Sequence, residues 1–121
     1  MQNAVDAYSN TAKIAMEPRQ LEASLLLKSA SKLQSLKENW NTSDGEFEAT
    51  LLYNRRLWTI FLSSVADGES ELPLEIKNNI ATLGAFILKH TLEVQAEPAP
   101  EKLETLININ KEIAAGLQQA A

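Results

Sequence analysis

The 121-residue sequence predicts an all-α fold, an antiparallel helical bundle of four main helices preceded by a short N-terminal helix. Three observations carry that prediction. In four long segments apolar residues recur at steps of three and four, the spacing that gathers them on one face of an α-helix. Pro18, Pro73 and Pro100 each open one of those segments, where a missing N–H costs nothing. Nowhere does the chain alternate apolar and polar residues long enough to make a strand. The connections are short, which favours antiparallel neighbours, and the length suits a single domain over residues 1–121.

Each element has its own signature. Asn3 is placed to cap a short helix running to Lys13, with Val5, Tyr8, Ala12 and Ala15 on one side. Pro18 starts the first main helix, and Leu26, Ala30, Leu33, Leu36 and Trp40 form its stripe. Lys28 and Lys32 fall on the opposite, solvent side. The stretch Asn41–Gly45 breaks the pattern, and Ser43-Asp44-Gly45-Glu46 reads as a capping box. Behind it Phe47, Leu51, Asn54, Trp58, Phe61 and Val65 make a heptad-like seam with one polar member. Asp67-Gly68-Glu69-Ser70-Glu71 is an acidic loop. After Pro73 the seam is Ile76, Ile80, Leu83, Ile87, His90 and Val94, and Gly84 beside Ala81 and Ala85 offers a flat patch to a neighbouring helix. Glu97-Pro98-Ala99-Pro100 is a linker. Leu103, Leu106, Asn110, Ile113 and Leu117 line the last helix, and Gly116 reads as its C-terminal stop.

Composition narrows the function by exclusion. The chain has no cysteine, so disulfides, thiolate metal sites and thiol nucleophiles are excluded. Its one histidine, His90, makes no imidazole cluster. Four glycines stand singly, and no phosphate-binding loop or dinucleotide fingerprint exists. The prediction is a protein that is not an enzyme and holds no cofactor or metal. Eleven basic against sixteen acidic residues give a net charge of −5, which argues against direct nucleic-acid binding. No stretch is apolar enough to span a bilayer and no signal segment opens the chain, so a cytoplasmic, membrane-free protein is expected.

The run Asn54-Arg55-Arg56-Leu57-Trp58 is the most informative. Asn54 stands on the seam, where a polar side chain must find partners; Asn110 holds the matching position on the last helix, and the two are candidates to meet across the bundle. His90, also on a seam and near a helix end, is suited to hydrogen-bond a carbonyl or interact with the helix dipole, with a ligand or pH-switch role as the alternative. Arg55 and Arg56 have only uncharged residues three and four positions away, so neither finds an ion pair within its own helix. Each therefore meets solvent, an acid on another helix, or a partner. Trp58, on the seam, is read first as core and second as the edge of a partner-binding surface.

Three stretches resemble a known family: Glu17-Pro18-Arg19-Gln20-Leu21-Glu22, Tyr53-Asn54-Arg55-Arg56-Leu57-Trp58, and Leu106-Ile107-Asn108-Ile109-Asn110-Lys111-Glu112-Ile113-Ala114-Ala115-Gly116-Leu117. With Tyr8 near the start and Leu72-Pro73 between them, they resemble FlaF, the flagellar biosynthesis regulators, in order and spacing along nearly the whole chain. Leucine at Leu21, between Gln20 and Glu22, and lysine rather than arginine at Lys111 are modest departures. The resemblance implies a small helical cytoplasmic protein needed for flagellin to be made or exported. It implies flagellin and the companion regulator FlbT as partners, and no catalytic residues or cofactor. Flagellin's terminal regions are amphipathic helices, so the expected mode is helix-in-groove recognition, with Arg19, Arg55, Arg56 and Trp58 as the candidate edge. The competing reading is direct binding of flagellin messenger RNA.

Overall fold

The structure is a computed structural model and describes residues 18–66 and 72–120. The described residues form four α-helices and a 3-10 turn: α1 (Pro18–Glu38), α2 (Glu46–Ala66), α3 (Leu74–Ala96), the turn Pro100–Lys102, and α4 (Leu103–Ala120). No strand occurs among the described residues. The expected N-terminal helix and the acidic loop 67–71 lie outside the described residues.

Helix α1 begins at Pro18 and buries Ala23, Leu26, Ser29, Ala30, Leu33 and Leu36. It stops at Glu38, where the Asn39 amide and its side-chain Nδ2 both donate to the Ser35 carbonyl. The next helix is not capped by the expected Ser43–Glu46 box. Ser43 turns back, its N–H and hydroxyl both donating to Asn41 Oδ1, while Asp44 Oδ1 accepts the Glu46 N–H at 3.0 Å. The reason is the backbone at Gly45, whose φ of +87° suits glycine. With that sharp reversal, the aspartate one residue later takes the capping role. Trp40 and Phe47 close this corner edge to face, their ring centroids 5.6 Å apart.

Helix α3 follows Pro73 directly and buries Ile80, Gly84, Ile87, Thr91 and Val94. Leu62 of α2 packs directly over Gly84: a Cβ there would stand 2.5 Å from Leu62 Cδ2. Beyond Glu97 the chain turns through Pro98 and Ala99. Pro100 opens the 3-10 turn rather than α4 itself, which starts at Leu103. Gly116 does not end α4. The helix runs on to Ala120, because Gly116 lies in a half-buried position facing Ile76 and the turn beyond it continues to form.

Each helix packs on its neighbours in the chain, and α4 returns to α1 to make the most extensive contact of all. Between them lies a core led by Trp58, Leu26, Leu33, Leu51, Ile80, Ile87, Leu103, Leu106 and Leu117. Burying each large aliphatic or aromatic side chain contributes about 1.5–3 kcal/mol. The observed seams follow the sequence periodicity closely, since a 3.6-residue repeat leaves one stripe facing the neighbours. No described helix is long and apolar enough to cross a membrane.

Candidate functional site

Helix α2 positions both regions that carry unusual chemistry. Its inner face places Asn54 and Trp58 one turn apart, both fully buried. Trp58 Nε1 donates to Asn110 Oδ1 at 2.8 Å, Asn110 Nδ2 donates to Asn54 Oδ1 at 2.7 Å, and the Ser29 hydroxyl donates to the same Asn54 oxygen at 2.8 Å. Three helices, α1, α2 and α4, are thus tied through one polar cluster.

The directions of these bonds follow from a single fact. An indole N–H can only donate, so Asn110 must turn its oxygen toward Trp58. That aims the Asn110 amide nitrogen at Asn54, which must then present its own oxygen. Ser29, left facing an acceptor, has to donate. Asn54 Nδ2 is the remaining group, buried and with no hydrogen-bond partner. An unpaired buried donor costs about 1–3 kcal/mol, so the cluster holds three helices in one register while carrying a local penalty.

The outer side of α2 has the opposite character. Leu25 of α1 joins Ala49, Leu52, Tyr53, Arg56, Leu57 and Ile60 of α2 to line an open groove of about 470 Å³. Ile60 is 64% exposed, a large apolar side chain left in water. Tyr53 lies along one lip with Lys32 Nζ 5.2 Å from its ring centroid, and burial pushes its phenol pKa above the usual value. Arg56 is exposed at the groove, and no described residue forms an ion pair with it. Lined by aliphatic side chains, one tyrosine and one cation, the surface can accept an apolar helix face flanked by an acid. It has no group suited to covalent chemistry, and no cluster of three or more His, Asp or Glu able to hold a metal occurs among the described residues.

The residues singled out from sequence divide between these regions and a third. Asn54 and Asn110 meet directly in the interior. Trp58 is corrected: with no exposed surface and its N–H committed to Asn110, it cannot form part of a docking edge. Arg56 lines the groove, whereas Arg55 is exposed beside it and lines none of it. Arg19 stands apart near the start of α1, half-buried and 4.0 Å from the Glu22 carboxylate. Partial burial raises the pKa of Glu22, and the Arg19 charge acts against that rise. His90 lies elsewhere. Its Nε2 donates to the Lys102 carbonyl at 2.8 Å, which fixes the tautomer, and its ring stacks on Phe86 with centroids 5.4 Å apart.

Sequence reasoning missed Ser29, Leu25, Leu52 and Ile60. The signal was present for the groove: Ala49, Leu52 or Tyr53, Arg56 and Ile60 recur at steps of three and four, a second stripe beside the main seam. Ser29 gave no comparable sign, being one small polar residue within an apolar face. Against known proteins, the family profile described as flagellar protein FlaF matches residues 4–117. No curated protein and no solved structure matches the chain.

Proposed function

The chain belongs to the FlaF family of flagellar proteins, and from that premise we propose that it acts as a flagellin-binding chaperone or adaptor, promoting flagellin synthesis and export together with an FlbT-like regulator. The observation that carries this reading is the apolar groove on α2 with exposed Ile60 and with Arg56, which has no ion-pair partner among the described residues. From Ala49 to Ile60 the groove follows α2 for about 17 Å, or three helical turns. That length suits the apolar stripe of one amphipathic helix, and Arg56 is placed to receive a carboxylate at its margin.

The reading takes the four helices as an antiparallel bundle acting in the cytoplasm. Several contacts support the arrangement: Lys37 near the end of α1 pairs with Glu104 near the start of α4, while Ser29, earlier on α1, and Asn110, later on α4, meet the same residue, Asn54. Such a scaffold holds α2 from the inside and leaves its outer stripe for a partner. The function needs no catalytic step and no cofactor.

The test is co-purification of flagellin with the wild type and with Arg55→Glu/Arg56→Glu. Reversing both charges is expected to weaken capture at least tenfold, about 1.4 kcal/mol, with an unchanged circular dichroism spectrum. Equal capture by both proteins would remove the groove from the interface. Salt-sensitive binding of the flagellin leader RNA by this chain alone would shift the assignment to direct RNA recognition, which the net charge of −5 opposes.

A further inference from the structure

We propose that the outward face of α3 pairs with the same face of a second copy of this chain, the two helices antiparallel about a two-fold axis, in a reversible closed dimer. The inference does not rest on the flagellin-binding reading, since no residue lining the α1–α2 groove belongs to α3.

Helix α3 carries a second seam beside its buried one. Leu74, Asn78, Ala81, Ala85, Leu88 and Leu92 recur at alternating steps of four and three, the spacing of a coiled-coil stripe. Leu74 is 73% exposed and Leu92 60%, so the two ends of the stripe leave large apolar side chains in water. The patch of small residues around Gly84 is divided between the two seams. Gly84 takes Leu62 of α2, while Ala81 and Ala85 stay exposed.

What identifies the occupant as another copy is self-complementarity, of size and then of charge. Turned end for end about a point between Ala81 and Ala85, the stripe sets Leu74 against Leu92 of the second copy and Ala81 against its Ala85. Each contact then occurs twice, as an interface made from one patch on both subunits requires. Leucines meet at both ends, about 27 Å apart along the helix. Alanines meet at the middle, where small side chains let the axes approach to about 8 Å. The same rotation brings Glu75 beside Lys89 of the second copy, again twice, along the edge of the stripe. Both are exposed, and neither forms an ion pair among the described residues. Glu93, one turn beyond Lys89, is directed instead at His90 Nδ1, 3.7 Å away.

Other arrangements lose these matches. A slip of one heptad in either direction sets a leucine against an alanine and leaves Glu75 or Lys89 beside Thr82. A parallel pair sets Asn78 against itself and brings no opposite charges together. In the favoured register Asn78 falls opposite Leu88, and the contact is a single helix wide. Both features place the dimer among small interfaces that dissociate on dilution.

Sedimentation equilibrium of the full chain tests this, with the mass followed from micromolar to millimolar protein. The expected result is a reversible rise from one chain toward two and no further. Leu92→Lys, at an exposed position, should keep the circular dichroism spectrum and weaken the dimer at least tenfold. Glu75→Lys and Lys89→Glu should each weaken it about tenfold, because each turns two attractive contacts into two repulsive ones. Combining them as Glu75→Lys/Lys89→Glu should restore the wild-type constant, and Ile60→Glu in the groove should leave it unchanged. A chain that stays single up to millimolar concentration overturns the proposal, as does growth beyond two chains. A dimer that ignores Leu92→Lys, or that Ile60→Glu dissociates, lies on another face and overturns it too. Single charge reversals that weaken the dimer without rescue by the double exchange overturn the antiparallel register. All these readouts are of mass, so flagellin capture stands or falls separately.

Discussion

The two faces of α2 invert the ordinary arrangement of a helix. Inward, where aliphatic packing is the rule, stand Asn54 and the polar end of Trp58, joined to Asn110 and Ser29. Outward, where charge is the rule, stand the half-buried Leu52 and Tyr53 and the largely exposed Ile60. An inner seam of leucines would be easier to stabilise but would tolerate sliding by one turn, since every layer would resemble the next. The hydrogen bonds close in one register only. An outer face of lysine and glutamate would be more soluble but would bind nothing. The difference teaches that one face sets how the helices align, while the other leaves apolar surface in water, the face that the proposed function assigns to a partner.

Substitutions that act on one face alone break this comparison. The largest effect is expected at the inner face, from Trp58→Ala. It empties the largest fully buried side chain in the core and strands Asn110 Oδ1. The stability lost should be about 3–5 kcal/mol by urea denaturation. A loss near 1 kcal/mol would mean that the core closes around the gap and the indole is not central. Asn110→Leu comes next, at about 1–3 kcal/mol, because it keeps the volume while leaving the Trp58 N–H unpaired. A protein stabilised by this change would show that the polar cluster contributes alignment at the expense of stability. The smallest effect on folding belongs to the outer face: Ile60→Glu should move stability by no more than about 0.5 kcal/mol. The same change should sharply weaken flagellin capture. An unfolded Ile60→Glu protein would refute the division, since it would make the outer stripe part of the core.

Much of the architecture was legible because helical periodicity is a direct image of burial. Phe47, Leu51, Asn54, Trp58, Phe61 and Val65 were read as one inward seam; the first five are buried and Val65 is half-buried. The flat patch at Gly84 is indeed where another helix comes near. What periodicity does not carry is which partner a polar atom finds. The capping role passed from Ser43 to Asp44 because it depended on the positive φ of Gly45, a backbone choice that the spacing alone leaves open. Gly116 was misread as a stop since glycine is compatible with both ends and interiors of helices, and neighbours decide between them. Trp58 illustrates the same limit from the other side. Its ring suits a core or an interface equally, and only the position of Asn110 on α4 settles its burial. Leu25 and Ile60 escaped notice because the groove needs two helices side by side, a relation that no single stretch of sequence contains.

The close approach at Gly84 has a consequence for how this protein can change over time. Leu62 fills the volume that a side chain at position 84 would occupy, so the two positions share one allotment of space across the α2–α3 contact. Overfilling such a contact costs about 1–3 kcal/mol. A lineage that acquires a larger residue at position 84 can keep this helix spacing only if position 62 shrinks in step. The two sites, more than twenty residues apart in the chain, are free to drift together and constrained when they drift alone.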